Sequence, residues 1–141
     1  MAKISVLGAG SWGTALAILL NDNGHQVQVW SALEDEIQML SQTHEHASKL
    51  PGVKIAESIA FTGDLEGSVR DKDVIVLAVP SPFTRDTAHK IKALVGEGQK
   101  IVNVAKGVEE GTLMTLSEII EEEIPQADVA VLSGPSHAEE V

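Results

Sequence analysis

Gly8-Ala9-Gly10-Ser11-Trp12-Gly13 decides how this chain folds. The apolar run Ile4-Ser5-Val6-Leu7 precedes it, and the apolar stretch Thr14-Ala15-Leu16-Ala17-Ile18-Leu19-Leu20 follows it. The order is buried strand, glycine turn, helix start. A dinucleotide pyrophosphate requires this order. The first glycine permits the tight turn, the second lets phosphate oxygens approach the backbone, and the third lets the helix pack closely on the strand. The free N–H groups of the first helical turn then face the anion, and the helix dipole adds attraction. A glycine pattern alone says little; between a strand and a helix it says much more.

Outward from this turn, strand and helix patterns alternate. Short runs rich in Val, Ile and Leu predict strands over Lys3–Leu7, Gln26–Trp30, Val74–Val79, Lys100–Val104 and Asp128–Leu132, as expected of parallel strands covered on both faces. Helices are expected over Trp12–Asn23, Glu34–Gln42, Asp64–Arg70, Pro82–Val95 and Leu113–Glu123. Asp64 and Ser81 read as N-caps, with Pro82 at a first helical position. Thr43 to Gly63 is less regular; Val53–Ile55 and Ile59–Thr62 read as short extra strands or parts of one excursion. The fold class that follows is α/β, a Rossmann-type, doubly wound and mostly parallel sheet.

The 141 residues suit one dinucleotide-binding domain over 1–141. The chain runs from its last strand into Ser133-Gly134-Pro135-Ser136-His137-Ala138-Glu139-Glu140-Val141 and stops. A ligand loop left as a frayed end suggests a domain excised from a two-domain protein. Ten basic residues against 21 acidic ones give a net charge of −11. No basic cluster of the kind nucleic acid requires is present. No apolar run reaches the length of a membrane span, and no secretory leader is visible. The absence of cysteine excludes a disulfide framework and fits a cytoplasmic protein. His44-Glu45-His46 lacks a third ligand at a suitable spacing, so no metal is expected.

The second strand ends Val29-Trp30-Ser31-Ala32, with neither an acid for ribose hydroxyls nor an arginine for a 2′-phosphate. Glu34, Asp35 and Glu36 follow, and their charge disfavours an extra phosphate. The cofactor is therefore NAD or NADP, with NAD(H) favoured. Ala78-Val79-Pro80-Ser81 turns the chain over the sheet edge, either lining the cofactor's path or simply starting the next helix. Lys106 follows the strand Ile101-Val102-Asn103-Val104. There it reads as a solvated surface charge or as a partner for a phosphate or a carbonyl. Trp30 reads as packing, His137 as an exposed loop residue, and Glu121-Glu122-Glu123 as a solvated helix face.

Taken together, the glycine turn, Val29-Trp30, Leu50-Pro51, Ala78-Val79-Pro80-Ser81, Lys106-Gly107-Val108-Glu109 and Leu132-Ser133-Gly134-Pro135-Ser136-His137-Ala138-Glu139-Glu140 resemble the amino-terminal domain of the bacterial NAD(P)-dependent glycerol-3-phosphate dehydrogenases, over the whole length. The resemblance implies an oxidoreductase that moves hydride between nicotinamide and C2 of dihydroxyacetone phosphate or glycerol 3-phosphate, feeding phospholipid synthesis. It implies cofactor contacts at Gly8, Gly10, Ser11, Trp12, Gly13, Lys106 and Ala138, and contacts to a small phosphorylated substrate at Lys106, Gly134 and Ser136. It places the catalytic general-acid lysine in a helical carboxyl-terminal domain absent from these residues, so the chain alone should turn over little. It also implies a homodimer for the intact protein. Ala32 and Leu33 stand where NADPH-using members carry basic residues. Two other readings fit the glycine turn: another β-hydroxyacid-type dehydrogenase, or a non-catalytic NAD-sensing domain.

Overall fold

The structure, a computed structural model, describes residues 2–9, 11–43, 45–46, 50–55, 58–104 and 111–131. At residues 11, 12, 45, 46, 50–54 and 81 it describes the backbone alone. Eight strands and five α-helices follow one another among these residues. They are β1 (Lys3–Leu7), α1 (Ser11–Asp22), β2 (Gln26–Trp30), α2 (Glu34–Thr43), β3 (Glu45–His46), β4 (Leu50–Lys54), β5 (Ala60–Thr62), α3 (Leu65–Val69), β6 (Val74–Leu77), α4 (Thr84–Ile91), β7 (Lys100–Asn103), α5 (Leu116–Glu123) and β8 (Asp128–Val131). Six strands form one sheet in the order β5-β2-β1-β6-β7-β8. Every pairing in that sheet is parallel. β3 and β4 form a separate antiparallel pair within the excursion.

Strand alternation divides the core into two layers. On one face Ile4, Val6, Val27, Val29 and Val76 pack with Leu16 and Ala17 of α1 and Leu40 of α2. On the other, Leu7, Trp30, Ile75, Leu77 and Ile101 pack with Val69 of α3, Ala88 and Ile91 of α4 and Ile120 of α5. Helices on both faces make the sheet doubly wound, as expected. β1 and β2 have the bounds that their apolar runs predict. No helix among the described residues is long and apolar enough to cross a membrane.

Three local readings need correction. Asp64 occupies the N-cap position of α3, but its side chain makes no capping bond. The turn is held instead by the Asp64 N–H donating to Thr62 Oγ1 and by Ser68 Oγ donating to the Asp64 carbonyl. Ser81 opens a 3₁₀ turn, Ser81–Phe83, rather than capping α4. The cause is local: Phe83 N–H donates to the Pro80 carbonyl at 2.9 Å, an i to i+3 bond that tightens the chain before α4 begins. α5 starts three residues later than expected because Thr115 and Glu118 form a reciprocal capping box.

The acidic run at the end of α5 is also less solvated than its composition suggests. Arg85 of α4 reaches Glu122 at 3.1 Å and Glu123 at 2.7 Å, and His89 Nδ1 lies 3.1 Å from Glu123 Oε1. A carboxylate only accepts, so His89 Nδ1–H is the donor in that bond. These bonds, from His89 first and then from Arg85, hold the Glu123 carboxyl below the usual glutamate range. A carboxyl whose pKa is depressed by folding stabilises the fold above its unfolded value, and that stability is lost as pH falls through the lowered value. Glu123→Gln should therefore cost roughly 0.5–1 kcal/mol at pH 7, the scale of a partly exposed ion pair. Urea denaturation between pH 7 and pH 2 should show the two proteins converging below the glutamate range. A constant gap across that range would show that the ionised pair contributes nothing.

Candidate functional site at the carboxyl edge of the sheet

The strand order reverses between β1 and β6: the chain leaves β1 toward β2 and later returns to β6 on the other side. Loops diverge at such a switch point and open a crevice beyond the strand carboxyl ends. Here that crevice has a rigid floor, because the backbone ladder continues one residue past β1, β2, β6 and β7. Gly8 N–H donates to the Trp30 carbonyl at 2.8 Å, and Ala78 N–H donates to the Leu7 carbonyl at 2.9 Å. Val104 N–H donates to the Leu77 carbonyl at 3.2 Å, and Ser31 N–H donates to the Thr62 carbonyl at 3.2 Å.

Gly8 lies in this floor with φ of +121°. A Cβ built on it would stand 2.7 Å from the carbonyl carbon and oxygen of Ala78 and 2.8 Å from the nitrogen of Val79. Only glycine permits both that backbone angle and that approach. Five residues on, Gly13 lies in the first turns of α1 and is buried. A Cβ there would run into the Gly8 carbonyl oxygen and stand 3.2 Å from the Ala78 Cβ. The two glycines thus press α1 onto the end of β1 and both onto the tip of β6. Thr14, fully buried, ties the turn from inside by donating its hydroxyl to the Ala9 carbonyl at 3.3 Å.

α1 begins at Ser11, directly beyond the turn, with no acidic side chain in its first turn. Its unpaired amides and positive dipole end therefore meet the crevice without a competing carboxylate. β1, Gly8–Ala9 and the start of α1 stand in the strand-to-helix order of anion-binding helix starts. Gly10, Lys106, Gly134, Ser136, His137 and Ala138 lie outside the described residues, as does His44. The backbone of Ser11 and Trp12 is placed in α1. Among the described residues no group of three or more His, Asp or Glu side chains could hold a metal ion.

Trp30 packs as expected. Its ring belongs to the second core layer, and its Nε1–H donates to the Gly63 carbonyl at 3.2 Å. The structure also gives Glu36 a partner at the strand tip that its place in the sequence does not announce, and brings Phe83 to the same edge. Glu36 Oε1 accepts a 2.7 Å hydrogen bond from the hydroxyl of Ser31, the residue that follows β2. An acid thus reaches the tip of the second strand from the first turn of α2, although none occupies the tip in sequence. The Phe83 ring stands 58% exposed in the 3₁₀ turn beyond β6, an apolar surface on the same edge of the sheet. The signal for Phe83 was an aromatic residue in a chain with only two tryptophans and two phenylalanines.

The family described as NAD-dependent glycerol-3-phosphate dehydrogenase N-terminus matches residues 3–141. Glycerol-3-phosphate dehydrogenase [NAD(P)+] from Agathobacter rectalis is 60% identical over 141 residues, which are the whole of this chain and 42% of that protein. The enzyme of the same description from Fusobacterium nucleatum is 50% identical over 143 residues, covering the whole chain and 43% of the relative. Among solved structures, glycerol-3-phosphate dehydrogenase from Coxiella burnetii superposes with a TM-score of 0.92 at 33% identity, over 99% of this chain and 42% of that one. The chain therefore spans less than half the length of the relatives it matches.

Proposed function

Because this chain belongs to the family of the NAD-dependent glycerol-3-phosphate dehydrogenase N-terminus, we propose that it is the half of such an enzyme that holds the dinucleotide. The intact enzyme would interconvert dihydroxyacetone phosphate and glycerol 3-phosphate. When bound, the nicotinamide supplies or accepts the hydride at C2. The residues of this chain bind and orient. The amides that open α1, from Ser11 onward, take the pyrophosphate against the Gly8–Gly13 turn, with Gly10 at the point of closest approach. Trp12 shapes the adjoining wall. Lys106 contacts cofactor and substrate, Gly134 and Ser136 contact the phosphorylated substrate, and Ala138 closes on the nicotinamide end. The observation that carries this reading is the contact of Gly8 and Gly13 with the Ala78 turn, which sets a helix start over the switch-point crevice.

The general acid that protonates the forming alkoxide is proposed to lie outside these 141 residues. The relatives' extra length supports this, since the chain covers 42% of the Agathobacter enzyme. A cytoplasmic, dimeric intact enzyme rests on the family resemblance. The Lys106-Gly107 and Gly134-Pro135-Ser136 pieces favour this activity over other β-hydroxyacid-type dehydrogenases and over a sensing role.

For the cofactor we favour NAD(H). The Glu36 carboxylate, 2.7 Å from the Ser31 hydroxyl, supports this choice. So do Glu34 and Asp35 in the same helical turn. A ribose 2′-hydroxyl can donate to such a carboxylate, whereas a 2′-phosphate is repelled by it. Calorimetric titration of the chain with NADH and NADPH separately should show NADH binding several-fold tighter. Equal or tighter NADPH binding would overturn the preference, and binding of neither would overturn the cradle.

A further inference from the structure

We propose that the opposite, amino edge of the main sheet carries a second site, for a small phosphate-type oxyanion. A cavity of about 280 Å³ lies there, lined by Lys3, Gln26, Gln28, Ser58, Ala60 and Lys72 among others. Its origin is the shortness of α3. By strand alternation Lys3, Gln26 and Gln28 face the same side of the sheet as Leu7 and Trp30, and Ala60 stands beside Gln28 in register. Val69 of α3 packs with Leu7 and Trp30 toward the carboxyl end. α3 has only five residues, about 7.5 Å of helix, against about 16 Å of strand in β1. The amino half of β5, β2 and β1 is consequently left as an open shelf, on which Lys3, Gln26 and Ala60 are exposed.

Charge singles out this shelf in an acidic molecule. Among the described residues, Arg70, Arg85, Lys90 and Lys100 each have a carboxylate partner. Lys3, Lys72 and Lys92 have none among the described residues, and the first two converge on the cavity. Lys72 Nζ donates once, to the Gly67 carbonyl at 3.1 Å, which leaves two N–H donors. The neighbouring Asp73 carboxylate is turned to the backbone, where its Oδ2 accepts from Lys3 N–H at 2.7 Å. Among the described residues no acidic side chain lines the cavity.

Ser5 lies behind this lining and does not reach the cavity. It lies two residues from Lys3 on the same face of β1, opposite Gln28 in register. It is fully buried, and its hydroxyl has no hydrogen-bond partner. Two ammonium groups, two glutamine amides and the Ser58 hydroxyl around one cavity suit a compact dianion with diverging oxygens. Lysine, a point charge with three rotatable donors, meets such an oxyanion without the fork geometry that arginine imposes. The shelf is about a strand length, roughly 16 Å, from the turn at Gly8, so an ion there takes no part in hydride transfer. Its role would be that of an effector.

Two-dimensional NMR of the 141-residue chain, titrated with inorganic phosphate at constant ionic strength, tests this. Saturable shifts are expected at Lys3, Gln28, Ala60 and Lys72. Lys3→Gln should weaken binding at least fivefold, and Gln28→Glu should abolish it. Lys3 is exposed and Gln28 half-buried, and neither side chain makes a hydrogen bond among the described residues, so both variants should keep the spectrum of a folded protein. Lys72→Arg should retain binding. Shifts confined to the first turn of α1 would overturn the proposal, as would binding that Lys3→Gln and Gln28→Glu leave unchanged. An equal response to malonate would overturn the assignment to phosphate.

Discussion

Among the described glycines, Gly8→Ala is expected to be the most damaging single-methyl change, costing about 3 kcal/mol or more. Two costs add. The backbone at residue 8 has φ of +121°, a region that L-residues with a side chain avoid. The new Cβ would also sit 2.7 Å from the backbone of Ala78, and a backbone between two hydrogen-bonded strands cannot step aside. Relaxation would have to break the Gly8–Trp30 or Ala78–Leu7 bond that continues the ladder. A domain of this size commonly has a net stability of 5–15 kcal/mol, so the loss is a large share. Urea denaturation followed by circular dichroism measures it directly. A variant within 1 kcal/mol of the parent would show that the close approach of β1 to β6 is not required.

Gly13→Ala should act on binding as much as on stability. Its Cβ meets the carbonyl oxygen of Gly8 and the Cβ of Ala78, so α1 must tilt or slide away from β1. Overpacking of this kind costs about 1–3 kcal/mol. The displaced helix start also carries the amides proposed to hold the pyrophosphate, and hydrogen bonds aimed at an anion fall off steeply with distance and angle. NADH affinity measured by calorimetry should drop at least tenfold. Adding Ala78→Gly should not restore it, because the harder of the two contacts is with the Gly8 carbonyl. Restoration in the double variant would show that side-chain crowding, and not the helix–strand approach, sets the cradle.

The parts of the fold legible in the sequence were those fixed by local apolar runs. β1 and β2 are buried on both faces at their carboxyl ends, so each reads as a run whose limits are the limits of burial. Where short-range hydrogen bonding decides a boundary, apolar runs alone misplace it. The Pro80–Phe83 bond delayed α4, and the Thr115–Glu118 box set the start of α5. That box was legible as a threonine followed three residues later by a glutamate. Tertiary pairings were not legible. Arg85 meets Glu123 across 38 residues, and the Lys3 backbone N–H meets the Asp73 carboxylate across 70. No spacing rule announces such partners. The glycine turn was legible as a strand-to-helix junction because apolar runs flank it on both sides. Glu36 was legible as local negative charge but not as the partner of Ser31, which it meets only after α2 has turned it back.

The packing of Gly8 on Ala78 and Val79 also has a temporal consequence. The first strand and its turn are synthesised early, yet their central neighbour in the sheet arrives some seventy residues later. A nascent chain that has emerged only as far as β2 has the glycine pattern but no wall for it to rest on. Contacts so far apart in sequence are slow to form, because loop closure must precede them. Competence to hold a ligand should therefore appear late and all at once, when β6 inserts beside β1, rather than growing with the length of the polypeptide.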